Sequence, residues 1–310
     1  MAYSLKEIND AVRSDPKGFA EACDAAFAKK VETAAQKIAD HRKESRIILL
    51  SGPSGSGKTT TALKIEEQLE KMGIQTHTIS MDNYFNTIDP ETAPRNREGA
   101  IDYESPFCLD IELLNRHFSM LDRGETIHVP KYEFARQMRS DILSQPLKLG
   151  PDELAIFEGI HALNPELTGL VKGDDVYRIY AGLREDYCID GRRIINTQDI
   201  RLCRRTLRDA AARGRSPAKT LAMWDRVLDG ETRYIKGFKT TADFLLDTSF
   251  TYELGLIAKL LRPVSQRFTL EGHNAELWDE TARRFEHVAP VELELLPADS
   301  MLREFYAGEV

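Results

Sequence analysis

The stretch from residue 49 to residue 69, LLSGPSGSGKTTTALKIEEQL, constrains this chain more than any other. Gly52, Gly57, Lys58 and Thr59 fit the pattern G-x-x-x-x-G-K-[ST], which here lies between an apolar run and a run typical of a helix. Glycines let successive backbone N–H groups point into one concavity, and the positive N-terminus of the following helix adds to this anion site. A simple Gly/Ser turn would give no reason for a lysine and a threonine in this register. The stretch therefore predicts a loop that binds a triphosphate.

The residues expected to bind the nucleotide belong to this loop and to the first turn of the helix: Gly52, Ser54, Gly55, Ser56, Gly57, Lys58, Thr59 and Thr60. Lys58 would reach the β- and γ-phosphates, and the Thr59 hydroxyl would be a ligand of Mg²⁺. ATP and Mg²⁺ are the expected cofactors, although the loop alone leaves ATP and GTP open as the donor. The chain contains no N-K-x-D tetrad, the motif that reads guanine, and this weighs against a small GTPase.

Short apolar runs alternate with helical patterns along the chain. The predicted strands are RIILLS (46–51), IQTHTIS (74–80), ELAIFEGI (153–160), DVYRIYAGL (175–183) and ADFLLDTS (242–249). The predicted helices cover residues 17–43, 59–73, 108–125 and 199–213, and a hairpin is expected around IHVPKYEF (127–134) and QPLKLG (145–150). Strands that alternate with helices imply right-handed crossovers. We therefore expect an α/β fold of the P-loop NTPase type, a doubly wound parallel sheet flanked by helices.

The length of 310 residues suits one large domain with additions. Proline is favoured at the first helical position, so Asp15 and Pro16 predict the start of the long N-terminal helix. Two roles stay open for this helix, packing on the main domain or contact with a second copy of the chain. The expected division is an N-terminal helical extension (1–44), a P-loop domain (45–263) with a lid at about 196–216, and a C-terminal extension packed on that domain (264–310).

The composition is that of an ordinary globular protein, with 42% hydrophobic and 30% charged residues. The formal net charge of −8 argues against an unspecific nucleic-acid binder. No apolar run approaches the roughly 18 residues that span a bilayer. The N-terminus carries acids and no apolar core, so we expect no membrane contact and a cytoplasmic location. The four cysteines form no CxxC pair and are expected to be reduced.

Two acidic residues follow or end predicted strands. Glu158 lies in LAIFEGIHAL, where a single acid fits a Mg²⁺ ligand, direct or through water, or else caps the next helix. Asp82 follows the second strand in TISMDNYF, where an Asx turn is the alternative. Ligands of a doubly wound sheet bind outside the carboxyl ends of its strands, so Asp82 should face the same crevice as Lys58. A carboxylate there can accept a proton from an attacking hydroxyl.

Arg201, Arg204, Arg205 and Arg208 occur at i, i+3, i+4 and i+7, so a helix places them on one face. The only acid from there to residue 215 is Asp209, whereas a solvated helix face usually mixes charges of both signs. Arginines without carboxylate partners repel one another, which favours a polyanion as their partner. We expect a lid that neutralises the transferring phosphoryl group, with Arg204 acting in catalysis and Arg205 and Arg208 binding the nucleotide.

Several spaced motifs resemble the uridine kinase and phosphoribulokinase family of P-loop kinases. They are GPSGSGKTT, SMDNYF, IDYESPFCLD, PKYEF, IFEGIHAL and DIRLCRRTLRDAAARGRS, in family order over residues 46 to about 216. Three stretches further on, LAMWDRVLDGETRYI, ADFLLDTSFTYELGLIAKLLRPV and SMLREFYAGEV, resemble a bacterial subgroup of uridine kinase-like nucleoside kinases. The resemblance implies ATP-dependent phosphorylation of a primary hydroxyl, most simply the 5′-hydroxyl of a nucleoside.

The resemblance also implies roles for individual residues. It makes Asp82 the base and Glu158 a metal ligand, and it has Arg201 and Arg204 touch the substrate oxygen and the phosphates. Glu104 matches the position that holds ribose hydroxyls, and Tyr132 lines the base pocket. The residues expected to contact the acceptor are Asp82, Tyr84, Glu104, Tyr132, Gln137 and Arg201.

The chain departs from the family pattern at two of these positions. Uridine kinases usually carry a histidine that reads the pyrimidine edge, and this chain has Gln137 near that place. Glutamine can both donate and accept a hydrogen bond, so it is able to pair with a base, while the base preference stays open. The usual aspartate at the ribose position is Glu104, whose side chain is one methylene longer.

Two alternatives to a nucleoside kinase stay open at this point. A kinase for another small alcohol, such as a sugar phosphate, glycerate or pantothenate, would need a cationic pocket or a different acid near residues 95–140. Cations present there include Arg95, Arg97, Lys131, Arg136 and Arg139. A regulatory module that binds nucleotide without transferring phosphate is the second alternative, but it would not need Asp82 beside an arginine lid. A small-molecule acceptor is the expected partner, and a homo-oligomer is left open.

Overall fold

The computed structural model describes residues 2–133, 136–142, 146–169, 176–212 and 214–306. Its strands are β1 (Ala2–Ser4), β2 (Ile47–Ser51), β3 (Thr76–Ser80), β4 (Ile127–His128), β5 (Tyr132–Glu133), β6 (Met138–Arg139), β7 (Pro146–Leu147), β8 (Leu154–Glu158), β9 (Val176–Gly182), β10 (Asp186–Ile189), β11 (Arg192–Ile195) and β12 (Phe244–Asp247). Its helices are α1 (Leu5–Ser14), α2 (Pro16–His41), α3 (Lys58–Lys71), α4 (Ile111–Asp122), α5 (Pro165–Thr168), α6 (Thr197–Ala212), α7 (Pro217–Ala222), α8 (Trp224–Tyr234), α9 (Glu253–Arg267), α10 (His273–Arg284) and α11 (Arg303–Tyr306). The described residues leave out four residues at the ends of predicted elements, which are 134, 145, 175 and 213. They also leave out residues 307–310 of the predicted C-terminal extension.

Five strands form the central sheet in the order β12-β9-β2-β8-β3, and every neighbouring pair is parallel. They are the five strands predicted from the apolar runs. β2 and β8 are buried along their whole length. Central strands of a parallel sheet are covered on both faces, which is why their sequences are continuous apolar runs. The predicted fold class, a parallel α/β sheet flanked by helices, is confirmed.

The register aligns the carboxyl ends of β2, β3 and β8 at one edge of the sheet. Glu158 of β8 pairs in register with Ser80 of β3 and with Leu50 of β2. The loop after β2, the turn after β3 and the turn after β8 therefore start at the same level. Residues that are far apart in the sequence meet at this edge.

Side chains along β2 alternate between two hydrophobic clusters, because successive residues of a strand point to opposite faces. Ile48 and Leu50 belong to the cluster that includes side chains of α2, α3, α6 and α9. Ile47 and Leu49 belong to the cluster on the other face, with Phe118 of α4. The sheet is thus the middle layer between two helical layers.

Both predicted extensions contribute to the first of these clusters. Phe27 of α2 and Trp278 of α10 are buried in it together with residues of the central sheet. Hydrogen bonds also join the two extensions: the Asn9 side chain donates to the backbone oxygen of His287 and accepts from the backbone N–H of Ala289, each at 2.7 Å. Residues on both sides of the P-loop domain in sequence therefore share its core.

The long N-terminal helix begins where the sequence predicts. Pro16 is the first residue of α2, and the Asp15 side chain accepts a hydrogen bond from the backbone N–H of Gly18 at 2.9 Å. α2 packs against α3. Lys30 forms an ion pair at 2.8 Å with Asp247, the last residue of β12. The helix therefore packs on the main domain, one of the two roles that the sequence leaves open.

A second sheet, in the order β1-β10-β11, is not among the predicted elements. Its hairpin turns at Asp190 and Gly191, which both have positive φ, 48° and 76°. Asp-Gly is the dipeptide most typical of a type I′ hairpin turn, so this hairpin does carry a sequence signal. β1 has only three residues, too few for its periodicity to be recognised. The expected hairpin around residues 127–150 is present as the antiparallel pair β4–β7.

None of the described helices combines the length and the apolar character that crossing a bilayer requires.

A buried ion pair joins α6, α9 and α11. Arg204 donates to both carboxylate oxygens of Glu253, at 2.5 Å and 2.7 Å, and neither side chain is exposed. The Tyr306 hydroxyl donates to Glu253 at 2.6 Å, and Arg204 donates to the backbone oxygen of Thr248 at 2.9 Å. A charge left alone in a core is costly, so these groups stabilise the fold only as a complete network.

We expect Glu253→Gln to lower the free energy of unfolding by about 3–5 kcal/mol, because it leaves the charge of Arg204 in the core beside a neutral partner. Glu292→Gln is the matched control, since Glu292 forms an exposed ion pair with Lys259 at 2.9 Å. Exposed pairs contribute about 0–1 kcal/mol. Chemical denaturation followed by circular dichroism measures both variants, and equal effects would contradict the role assigned to the buried pair.

Candidate active site

The glycine-rich loop connects β2 to α3 and is shaped by two left-handed glycines. Gly55 and Gly57 have φ of +76° and +80°, a conformation that costs glycine nothing and other residues much. No described side chain caps the N-terminus of α3. The first N–H groups of a helix have no partner within the helix, so here they are available to an anion. The geometry fits the predicted phosphate-binding loop.

The polar side chains of the loop are consistent with a ligand at this place. Lys58 is the first residue of α3, and none of the ion pairs between described residues includes it. The Ser56 hydroxyl is buried and has no hydrogen-bond partner among the described residues. Thr59 is exposed. A phosphate and its counter-cation would satisfy these groups.

Three carboxylates gather around Lys58 at the carboxyl edge of the sheet. Burial raises the pKa of Glu158, the nearby charge of Lys58 opposes this shift, and Asp82 adds to it. Burial also raises the pKa of Glu104, with Arg205 opposing and Asp82 contributing. Ser80, two residues before Asp82, pairs in register with Glu158, so Asp82 and Glu158 leave the sheet at the same edge. The roles predicted for Lys58, Asp82, Glu104 and Glu158 stay predictions.

The end of β8 has the chemistry of a cation site. The Oε2 atom of Glu158 is buried and has no hydrogen-bond partner within the described part of the chain. Thr59 and Ser80 are the polar side chains that act on the pKa of Glu158 by hydrogen bonding. Carboxylate and hydroxyl oxygens are the ligands that Mg²⁺ prefers. The residues present therefore fit the predicted pair of metal ligands, Thr59 and Glu158.

Helix α6 lies behind the loop and is bonded to its backbone. Arg201 donates from Nε to the backbone oxygen of Ser54 at 2.9 Å, and Arg204 donates to the backbone oxygen of Gly55 at 3.3 Å. Arg205 donates to the Ser54 hydroxyl at 2.8 Å. A Cβ atom on Gly55 would come within 3.0 Å of the backbone oxygen of Arg201. The arginines predicted to share one helical face by their i, i+3, i+4 spacing thus hold the loop through hydrogen bonds.

The prediction that these arginines lack carboxylate partners is wrong, since all four form ion pairs. Arg201 donates to both oxygens of Glu231, at 3.1 Å and 2.5 Å, and Arg204 is paired with Glu253 in the core. The catalytic role predicted for Arg204 and the acceptor contact predicted for Arg201 conflict with this burial, since both guanidinium groups already have partners. The local sequence gives no sign of these ion pairs, because Glu231 lies 30 residues after Arg201 and Glu253 lies 49 residues after Arg204.

Arg205 and Arg208 occupy a different environment from the first two arginines. Burial lowers the pKa of Arg205, while Glu104 and Asp209 oppose this shift, and its Nε has no hydrogen-bond partner among the described residues. Arg208 donates to Asp209 at 2.9 Å and lies 3.7 Å from Glu304. Of the predicted lid arginines, Arg205 is the one whose charge opposes the raised pKa of Glu104.

On the acceptor side the predicted residues are only partly brought together. Tyr84 is fully buried, and its hydroxyl is hydrogen-bonded to Nδ1 of His117 at 2.8 Å. The hydroxyl therefore has its partner in the core, and the predicted contact of Tyr84 with the acceptor is wrong. Tyr132 lies in the short hairpin β5–β6 with its ring 5.5 Å from that of Phe85. Gln137 is exposed in the turn of the same hairpin at φ +52°.

Two residues at this side of the site are not among the predicted ones. Asp102 is buried, accepts a hydrogen bond from the Tyr234 hydroxyl at 3.0 Å and lies 3.3 Å from Arg233. His161 is buried in the turn after β8, and its ring lies 6.2 Å from the ring of Tyr234. The sequence does indicate that His161 lies near the site, because it follows Glu158 by three positions, where the chain leaves the carboxyl edge of the sheet.

A segment near residue 300 supports the loop from the side of α3. Thr60 donates to Oε2 of Glu304 at 2.6 Å. A Cβ atom on Gly57 would lie 2.5 Å from the sulfur of Met301, so that side chain would have to shift, and the φ of +80° independently favours glycine at this position. The predicted C-terminal extension thus contacts the predicted nucleotide-binding residues.

Comparisons with known proteins agree with this geometry. The sequence model of the "Phosphoribulokinase / Uridine kinase family" matches residues 47–254. A protein named "Uridine kinase" from Macrococcus caseolyticus is 30% identical over 205 residues, which cover 66% of this chain and 88% of that protein. A protein of the same name from Staphylococcus aureus matches with the same identity and coverage. The matched family range contains the loop, Asp82, Glu158 and α6.

Among solved structures, one described as a possible uridine kinase from Bacillus stearothermophilus is similar with 17% identity and a TM-score of 0.49. The similarity covers 71% of this chain and 98% of that chain.

We expect Gly57→Ala to abolish nucleotide binding, because the added methyl group meets Met301 and strains a left-handed residue of the loop. Gly73→Ala is the matched control: Gly73 has φ of +79°, and nothing lies within 4 Å of the added Cβ. Both variants should lose about 1–2 kcal/mol of stability from the backbone strain. Isothermal titration with a non-hydrolysable ATP analogue separates them, and tight binding by the Gly57 variant would contradict the loop geometry.

Proposed function

This chain belongs to the phosphoribulokinase and uridine kinase family and is a P-loop kinase, and we propose that it transfers the γ-phosphoryl group of ATP to the 5′-hydroxyl of a nucleoside. The observation that carries the proposal is that the glycine loop with Lys58, the turn with Asp82 and the strand end with Glu158 all lie at the carboxyl edge of the central sheet. A cation for phosphate, a carboxylate for a proton and oxygen ligands for a metal are the parts that phosphoryl transfer needs. The curated relatives named above are uridine kinases, which supports a nucleoside as the acceptor.

Asp82 is the proposed general base of this reaction. It lies in the turn after β3, and its charge acts on both Glu104 and Glu158. In the proposed step the acceptor oxygen forms a bond to the γ-phosphorus, the bond from that phosphorus to ADP breaks, and the proton passes to Asp82. Lys58 and the N–H groups of the loop stabilise the charge that remains on the phosphate oxygens.

Thr59 and Glu158 are the residues that would hold Mg²⁺. Bound there, Mg²⁺ would neutralise negative charge on the phosphate oxygens. Burial raises the pKa of Glu158, because the buried carboxylate is poorly solvated. A cation bound to Oε2 would stabilise its negative charge in place of water. This accounts for an acid at the end of a buried strand.

Three of the five cations near the acceptor side already have partners within the chain. Arg95 donates to backbone oxygens at 2.7 Å and 2.6 Å. Arg136 pairs with Glu133 at 3.2 Å. Arg139 pairs with Asp110 at 2.9 Å. Arg97 and Lys131, the other two cations of this stretch, are exposed and form none of the ion pairs between described residues. A phosphorylated alcohol therefore stays the alternative acceptor, which a substrate panel separates from a nucleoside.

A substrate panel tests the proposal directly. ADP release by the wild-type protein in Mg-ATP should accelerate with at least one of uridine, cytidine, adenosine and guanosine. Acceleration only by a sugar phosphate, glycerate or pantothenate would mean a kinase for a different alcohol. Acceleration by none of these acceptors would favour a module that binds nucleotide without transferring phosphate.

We expect Asp82→Asn to lower kcat with the best acceptor by about 100-fold or more, because an amide cannot take the acceptor proton. Binding of ATP should persist, since the loop is unchanged. Asp122→Asn, at the exposed end of α4, is the matched control and should leave kcat unaltered. A kcat of the Asp82 variant close to that of the wild-type protein would remove Asp82 from the role of base.

A further inference from the structure

The C-terminal segment of residues 300–306 lies against three residues that are expected to bind the nucleotide. The side chain of Met301 meets Gly57, where an added Cβ atom would lie 2.5 Å from the sulfur. Glu304 contacts the other two, Thr60 and Arg208. These three residues belong to the glycine loop, to α3 and to α6, so one short stretch near the end of the chain touches all three elements.

The carboxylate of Glu304 divides its two oxygens between Thr60 and Arg208. The Thr60 hydroxyl donates to Oε2 at 2.6 Å, and Nη1 of Arg208 lies 3.7 Å from Oε1. A hydroxyl has one proton to donate, so Thr60 cannot donate to Glu304 and to a phosphate oxygen at the same time. An acid of the same chain therefore occupies a donor that the nucleotide is expected to use.

Glu304 lies where a helix favours an anion. Thr60 is the third residue of α3, and the first turn of α3 contains no acidic residue of its own. The N-terminal turn of a helix attracts negative charge, because its first backbone N–H groups have no partners within the helix. A carboxylate at this place resembles a phosphate in its charge and in its acceptor oxygens. The two anions would repel each other if both were present.

The backbone on both sides of Glu304 is held in place, whereas its own side chain borders solvent. Tyr306 is buried, and its hydroxyl donates to Glu253 at 2.6 Å. Arg303 donates to the backbone oxygen of Pro297 at 2.8 Å. The side chain of Glu304 is 19% exposed. A rotation of this side chain therefore releases Thr60 while the segment stays in place.

Arg208 keeps a partner when Glu304 leaves it. Its guanidinium donates to Asp209 at 2.9 Å. A guanidinium has five N–H donors, so Arg208 can bind a phosphate oxygen in addition to Asp209. Exchange of Glu304 for a phosphate replaces one anion by another at this arginine.

We propose that Glu304 is an internal competitor of the nucleotide phosphates, which holds Thr60 and Arg208 until ATP displaces it. The acid lowers the affinity for ATP, because binding has to break its charge-assisted hydrogen bond with Thr60. The inference rests on the proposed function only for the binding of ATP and does not depend on which acceptor is phosphorylated.

The test is the Kd of a non-hydrolysable ATP analogue with Mg²⁺, measured by isothermal titration for the wild-type protein and for Glu304→Ala. The variant should bind the analogue about tenfold more tightly, because a hydrogen bond to a charged group no longer has to be broken. Glu304→Gln keeps the shape and loses the charge, so it should show a smaller gain in the same direction. It also replaces the alanine variant if that variant does not fold.

Glu294→Ala is the matched control, since Glu294 is an exposed acid of the same C-terminal stretch. It removes the same charge from the protein as Glu304→Ala. A gain in affinity that came only from the total charge would therefore appear in the control as well. We expect the control to have the Kd of the wild-type protein.

The outcomes separate the proposal from its alternatives. Tighter binding by the Glu304 variants, with the control unchanged, supports it. Equal or weaker binding overturns it and means that Glu304 prepares the site for the nucleotide. An equal gain in the control also overturns it. A protein that binds the analogue but phosphorylates no nucleoside refutes the proposed acceptor and leaves this test intact, whereas absence of binding in every variant overturns both.

Discussion

The bond between the guanidinium groups of α6 and the backbone oxygens of the loop is the interaction on which the site depends. Two left-handed glycines give the loop its curvature, but a glycine-rich segment loses much conformational entropy when it is fixed. Arg201 and Arg204 fix it by binding the oxygens of Ser54 and Gly55. Each guanidinium is in turn held by a buried carboxylate, so the loop is anchored through charges in the core. A phosphate can then bind to N–H groups that are already in place.

Much of the fold follows from the sequence, because its signals are local. The five central strands are short apolar runs, and the loop pattern carries its own context of strand and helix. The Asp190-Gly191 dipeptide is a further local signal, because it is typical of the hairpin turn that the structure has there. The arginines show the limit of such signals: their spacing predicted one helical face correctly, while the acids that neutralise Arg201 and Arg204 come from α8 and α9.

The acceptor side of the site is the part that sequence describes least well. Lys58, Asp82, Glu104 and Glu158 can be predicted as site residues because each stands in a recognisable motif at the end of a strand or in the segment after it. Tyr84 stands in such a motif too, yet its hydroxyl is used in the core by His117. Asp102 meets Tyr234 across 132 residues of chain, and nothing in either local sequence indicates that contact. Pairing over such distances is decided by packing, not by spacing.

The contact of Thr60 with Glu304 has a consequence for the order in which the protein is made. The two residues are 244 positions apart, so a nascent chain that already contains the whole glycine loop still lacks one of its supports. At a ribosomal rate of about 5–20 residues per second, that support follows the loop by roughly ten seconds or more. During synthesis the growing polypeptide therefore contains the complete glycine motif before the side chain that bonds Thr60 has been made.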